Sequence, residues 1–213
     1  MKKLLASLLL LSLLLCSCSG TSGKDAETTP SDGIVYEYVD GSEDVVQSVV
    51  SYEEGKEVSR DNYVYNKDGQ LTSITTVQNG KTVQTVSHEY SGKVLTKTVK
   101  AFTDGGISVE EITLYGEDGY IASIDYYENG EKVGRELYYH DEEGNMIRSE
   151  EVDDSGFALT YKTYEYNEDG NLSKVSYYEF DSLTLYWIYT YDIFGEIESI
   201  TEHDHTGKVI AVE

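Results

Sequence analysis

Residues 63–74 read Tyr63-Val64-Tyr65-Asn66-Lys67-Asp68-Gly69-Gln70-Leu71-Thr72-Ser73-Ile74, and residues 189–200 restate them as Tyr189-Thr190-Tyr191-Asp192-Ile193-Phe194-Gly195-Glu196-Ile197-Glu198-Ser199-Ile200. Aromatic and β-branched residues in near alternation suit a half-covered pleated strand. Between the two strand signals lies a turn signal. The Asn or Asp can cap the turn backbone with its own side chain, and the glycine supplies the positive φ that closes a longer hairpin loop. The pattern Tyr-[Asn/Asp]-x-x-Gly-x-[Leu/Ile] returns, with Gly116 in the Asn/Asp slot at Tyr115–Ile121 and in full at Tyr166–Leu172. His140–Met146 puts His in the tyrosine slot, and Tyr90–Val94 is a shortened copy.

Outward from these copies, a second and tighter turn signal alternates with the first: Asp40-Gly41, Asn79-Gly80, Asp104-Gly105, Asn129-Gly130 and the weaker Ser155-Gly156 and Thr206-Gly207. Asn-Gly and Asp-Gly are strong short hairpin signals. Together the turn glycines recur every 11 to 14 residues from Gly41 to Gly207, with one beat missing where Asp181-Ser182 stands. Such self-similarity means a fold built by adding hairpins. The expected class is all-β: an antiparallel hairpin meander of about fifteen short strands, curled into a ribbon or an open shell, with tyrosines lining the concave side. Ser42–Glu54 has valines at helix-compatible spacing, but its β-branched content and the fixed beat favour a strand. Leu71 and Ile74, two and five after the turn glycine, would point to opposite faces of a regular strand. Either both faces are partly covered or a bulge shifts the register.

The ends and the composition bound the setting. Lys2, Lys3 and the apolar run Leu4–Leu15 form a secretory signal too short to span a bilayer. The segment resembles a bacterial lipoprotein signal: Leu15 and Ser17 stand at −3 and −1 of Cys18. This divides the chain into a signal peptide (1–17), a lipidated Cys18 with a flexible tether (18–33) and a β-repeat domain (34–213). No cysteine follows Cys18, so the exported domain has no disulfide. Loss of Lys2 and Lys3 with the signal takes the net charge from −24 to −26. So acidic a surface is a poor partner for nucleic acid, and for an anionic membrane beyond the lipid anchor. It suits a solvated, aggregation-resistant exterior, or an acidic face for cations or a basic protein.

Motifs for chemistry are sparse. His203-Asp204-His205 could place two imidazoles on one side of a strand, as zinc requires, but no third ligand stands at a fixed spacing. The acidic turns lack the EF-hand pattern and read as turn-forming carboxylates. There is no nucleophile elbow, phosphate loop or metalloprotease helix. The expectation is a non-enzyme with no cofactor and no metal. The candidate ligand-binding aromatics are Trp187, Tyr189, Tyr191, Tyr164 and Tyr166, which could stack on sugar rings or could be the repeat's own packing ladder.

The long turns closely resemble the YD repeat of Rhs and wall-associated proteins, Tyr-x-Tyr-Asp-x-x-Gly-x-Leu-x-Ser-Val; residues 189–200 fit throughout and residues 63–74 fit with Asn for Asp. The resemblance implies a β-strand shell or spiral. Large Rhs proteins encapsulate a C-terminal toxin, whereas this sequence ends at Glu213 and lacks the proline-containing self-cleavage motif, so toxin delivery is not expected. Tyr126-Tyr127-Glu128-Asn129-Gly130 also resembles choline-binding, clostridial-toxin and MORN-like repeats, but only one tryptophan occurs. The expected role is a lipid-anchored, extracytoplasmic repeat protein that binds or scaffolds at the cell envelope. Its partners would be the membrane through the N-terminal lipid and an envelope protein or polysaccharide. The alternatives are a carbohydrate-binding module using the tyrosine-rich face, or an acidic inhibitor or accessory of a basic envelope protein.

Overall fold

A computed structural model describes residues 32–213; the expected signal peptide, Cys18 and most of the expected tether lie outside the described residues. The chain forms β1 (Gly33–Tyr38), β2 (Val46–Glu53), β3 (Lys56–Tyr65), β4 (Leu71–Gln78), β5 (Lys81–Ser91), β6 (Val94–Asp104), β7 (Ile107–Tyr115) and β8 (Ile121–Glu128). It continues through β9 (Glu131–His140), β10 (Met146–Val152), β11 (Ala158–Tyr166), β12 (Leu172–Glu179), β13 (Ser182–Tyr191), β14 (Ile197–Asp204) and β15 (Val209–Val212). All fifteen strands lie in one antiparallel sheet in sequence order, open from β1 to β15. Each strand contacts only its sequence neighbours, as expected of a hairpin array. Of the ambiguous valine-rich stretch, Val46–Glu53 is strand β2, and Ser42–Val45 belongs to the connection before it.

Turn chemistry sets the register. Glu54-Gly55, Asn79-Gly80, Gly105-Gly106, Asn129-Gly130 and Phe180-Asp181 are two-residue turns with φ positive at both positions, the geometry whose twist matches the flanking strands. Five sequence assignments are corrected. The Asp104-Gly105 turn closes one residue later, because Asp104 pairs with Ile107. Asp40-Gly41 belongs to a longer connection, closed by a Val39 N–H to Val45 C=O bond of 2.9 Å. Ser155-Gly156 and Thr206-Gly207 complete long loops opened by Asp153 and Asp204. The missing beat falls at Phe180-Asp181, where a turn without glycine holds φ of 46° and 62°.

The long loops share one construction. Asn66 Oδ1 accepts from the N–H groups of Asp68 and Gln70, each at 3.0 Å. Asn167, Asp192, Asp153 and Asp204 repeat this pair of bonds in their own loops. The loop then delivers a bulge. Tyr65 pairs with Leu71, but Val64 pairs with Ser73 and Tyr63 with Ile74. Thr72 is skipped, so Leu71 and Ile74 stand on one face with both tyrosines. The same shift follows Tyr115, His140, Tyr166 and Tyr191. The bulge is the alternative that holds.

Among the described residues no second layer covers the sheet. Among the described residues the buried apolar side chains are Val50, Val152 and Val175. Stability therefore rests on ladder hydrogen bonds and cross-strand pairs, each worth roughly 0.2–1 kcal/mol. Register and alternation divide the side chains between two unlike faces. One, the tyrosine face, carries the repeat tyrosines and aliphatic residues. The other carries seven of the eight ion pairs among the described residues, including Arg60 with Glu37 and Glu57, Lys132 and Arg135 with Asp125, and Lys174 with Glu165. The tyrosines are not confined to one side: Tyr52, Tyr127, Tyr139, Tyr161, Tyr178 and Tyr186 share the ion-pair face. There Tyr161 stacks on Tyr178 at 4.5 Å with the Arg148 guanidinium 3.7 Å above its ring.

Candidate binding face

Four of the tyrosines that stand before a turn, Tyr65, Tyr90, Tyr166 and Tyr191, share a definite task. Tyr90 donates its hydroxyl hydrogen to the Leu71 carbonyl (2.8 Å), Tyr166 to Met146 (2.9 Å) and Tyr191 to Leu172 (2.7 Å). The acceptor is in each case the aliphatic residue that closes the previous long loop and opens the neighbouring strand. Tyr65 makes the equivalent bond to the Val46 carbonyl at 3.0 Å. These hydroxyls stitch one repeat to the next and satisfy carbonyls that the bulge leaves outside the ladder. Where His140 replaces tyrosine, Tyr120 stacks on its ring at 5.1 Å and covers the following loop. That ring occupies the space a Cβ on Gly144 would need, so Gly144 is held by a close approach as well as by its φ of 88°.

The five candidate aromatics share the tyrosine face over β11 to β13. Tyr164, Val175, Trp187 and Glu202 form one row across four strands, through the pairs Tyr164–Val175, Val175–Trp187 and Trp187–Glu202. Trp187 and Tyr189, with Ile200, Glu202, Ala211 and Glu213, line a shallow concavity of about 140 Å³. It is smaller than the roughly 300–1,000 Å³ of pockets that enclose a small molecule. Burial, followed by neighbouring Tyr191, Tyr164 and Glu213, holds the Tyr189 hydroxyl protonated above its ordinary range. Tyr166 and Tyr191 are engaged in stitches, and the Tyr164 hydroxyl lies 3.2 Å from Ser149 Oγ. Trp187 and Tyr189 are therefore the pair placed to meet a partner.

A second feature of this face escapes sequence reading. Glu136, Glu151, Thr160 and Glu179 fall in one row across β9 to β12, because Glu151 pairs with Glu136 on one side and with Thr160 on the other, and Thr160 pairs with Glu179. Hydroxyls serve these carboxylates: Tyr138 donates to Glu136, Thr160 to Glu151 (3.2 Å) and Tyr177 to Glu179 (3.2 Å). No ion pair among the described residues includes any of the three; the face's one ion pair joins Lys100 to Glu111 at 3.3 Å. Burial first, and then Glu136 and Glu111, push the Tyr126 hydroxyl up to about 12. Tyr138 is raised further by burial and its bond to Glu136. A repeat alphabet that names only tyrosine, glycine and aliphatic slots carries no sign of this row; it emerges once both flanking bulges are placed.

His203 stacks on Tyr186 at 4.7 Å on the opposite face, with its ring nitrogens against Thr201 Oγ1 (3.0 Å) and the Gly207 carbonyl (3.2 Å). Among the described residues no three His, Cys, Asp or Glu side chains converge as metal ligands would.

No protein-family model and no curated protein matches the chain. Among solved structures, a porin-like protein from Bacteroides uniformis is similar over 87% of this chain and 96% of its own, at 12% identity and a TM-score of 0.35. A protein of unknown function from Bacteroides fragilis is similar over 85% of this chain and 89% of its own, at 14% identity and a TM-score of 0.13. Superpositions this loose carry no argument about what the chain does.

Proposed function

We propose that this protein is a lipid-anchored, extracytoplasmic YD-like repeat scaffold that works by contact and not by catalysis. The observation that carries the reading is the single open layer. Among the described residues, fifteen strands leave three apolar side chains buried, so most of the sequence faces solvent. One surface is neutralised by its own ion pairs; the other offers aromatic rings and unpaired carboxylates. Cys18 carries the lipid in this reading, and the tether holds the sheet away from the membrane. Stacking of a sugar ring on Trp187 and Tyr189 is the second reading, favoured by the concavity those two rings line.

Two measurements test it. Labelled palmitate should enter the full chain in a bacterial host and be absent from Cys18→Ser; equal labelling of the variant contradicts the anchor. The Cys18→Ser chain, which carries no lipid, should still be retained by envelope fractions, and adding Tyr138→Ser with Tyr189→Ser should reduce that retention at least fivefold. Unchanged retention would remove the tyrosine face from the function.

A further inference from the structure

We infer that the outer edge of β1 is a self-association site, where β1 of a second copy of this chain adds to the sheet antiparallel, with Tyr36 opposite Tyr36 and Ile34 opposite Tyr38.

The open sheet has two edges, and they are unlike. β15 is four residues long, and the shift in its pairing with β14 places the extra residue, Ile210, in β15 itself. A short, bulged edge strand resists pairing with another chain. In the β1–β2 pair the extra residue is Gln47, in β2, so β1 runs regular over six residues. It holds no lysine and no proline, and its one charged residue, Glu37, is neutralised by Arg60. In a chain of net charge −24, β1 is an edge that a like-charged copy can approach.

Backbone alternation fixes the register. The Val39 N–H bonds to the Val45 carbonyl and so faces inward, which turns the N–H and C=O groups of Tyr38, Tyr36 and Ile34 to the open edge. The same three side chains are exposed, and their partners Val46, Val49 and Ser51 place them on the tyrosine face. In an antiparallel pair, residues with outward groups stand opposite one another. Centring the join on Tyr36 meets that condition at all three positions. It also sets each Tyr38 against an Ile34, the tyrosine–aliphatic pairing used within the sheet at Tyr63–Ile74 and Tyr189–Ile200.

Tyr38 is a second, independent sign. Tyr65, Tyr90, Tyr166 and Tyr191 are half-buried, and each gives its hydroxyl to the strand before its own. Tyr38 fills the same slot, because it pairs with Val46 across the same register shift that Tyr65 makes with Leu71. Among the described residues no strand precedes β1, and the Tyr38 ring is exposed at the edge. A second copy supplies a strand where the repeat would have one.

Strand parity selects which strand of the copy. With fifteen strands in an antiparallel meander, β1 and β15 run in the same direction. If the tyrosine faces stay on one side, β1 on β15 of another copy is a parallel pairing, foreign to this sheet, and leaves free ends for further growth. β1 on β1 is antiparallel, closes after two copies and keeps both tyrosine faces on one side. The join is short, so it belongs with small, concentration-dependent interfaces.

Disulfide trapping tests the register. The full chain is used with Cys16 and Cys18 replaced by serine, so that an introduced thiol is the only one. Opposed residues of a hydrogen-bonded pair have Cα atoms about 5.5 Å apart, within disulfide reach. Residue 34 of one copy and residue 34 of the other are offset by four residues, about 13 Å. On mild oxidation Y36C should form linked dimers at least tenfold faster than I34C, Y38C or I210C alone. A mixture of I34C with Y38C should link within twofold of the Y36C rate. In sedimentation, Y36K, which opposes two like charges, should need at least tenfold more protein than the parent chain to dimerise, with unchanged circular dichroism. Equal linking by all single variants signifies random collision and overturns the inference. Faster linking by I210C moves the join to β15 and overturns it as well. No linking by Y36C overturns it too, and means that solvent, the preceding segment of the chain or another protein's strand meets the β1 edge.

Discussion

At the scale of single residues, tyrosine and glycine do unequal work at sites that look alike in sequence. Tyr191 bonds to the Leu172 carbonyl, whereas Tyr189, two residues away, lines the concavity. Tyr191→Phe should leave that carbonyl without its partner and cost about 1 kcal/mol, read from the urea midpoint; an unchanged midpoint would mean that water replaces the stitch. The turn at Phe180-Asp181 lacks glycine yet holds φ of 46° and 62°. A left-handed conformation costs an ordinary residue about 1–2 kcal/mol. Asp181→Gly should therefore stabilise the chain by about 1 kcal/mol, and destabilisation in thermal unfolding would show that Asp181 makes contacts that outweigh the strain.

The long loop is the element that decides the fold. Its Asx cap, its left-handed glycine and its bulge form one device, and most of that device is written in Tyr-Asn-x-x-Gly-x-Leu. The cap and the glycine follow from residue chemistry, so strand number and order are legible, while several turns close a residue away or lengthen into loops. The bulge is not, because alternation alone sets Leu71 and Ile74 on opposite faces and only the pairing Tyr63–Ile74 reunites them. For the same reason Glu136, Glu151 and Glu179 look like scattered acids until two hairpins are in register. Trp187 and Tyr189 were legible as candidates from side-chain type; Tyr166 and Tyr191 share that type but are committed to the repeat. The loops also predict a pH response. The Asp141, Asp153 and Asp204 carboxyls are held below their usual range, chiefly by the side chains of Asn145, Ser155 and Thr206 and then by loop N–H groups. A depressed carboxyl stabilises the fold above its unfolded value near 3.9, and that contribution is lost as pH falls through the folded value. Asn66 and Asn167 fill the same slot without titrating. The variant D141N/D153N/D204N should lose less stability than the native chain between pH 7 and pH 3 in urea unfolding; an equal or greater loss contradicts the capping role.

At the scale of the whole molecule, the sheet is one-dimensional. Strands touch only their sequence neighbours, so a repeat can leave without unmaking a shared core. Deleting residues 167–191 joins Tyr166, the counterpart of Tyr191, to Asp192, so that the Tyr-Asp start of the loop is kept, and removes two of fifteen strands. The shortened chain should fold, keep its β-sheet circular dichroism, and show a urea m-value lower by about one seventh. Unfolding of the deletion variant would mean that distant strands depend on one another.

A single-layer sheet also makes a claim about its two sides that solution chemistry can read directly. Hydroxyl-radical footprinting of the full chain, free and mixed with envelope fractions, reports each tyrosine separately. The prediction is that Tyr126, Tyr138, Tyr177 and Tyr189 lose reactivity on mixing, while Tyr127, Tyr139, Tyr161 and Tyr186 keep it. Protection of the second set, or of neither, would contradict the assignment of the tyrosine face as the working surface.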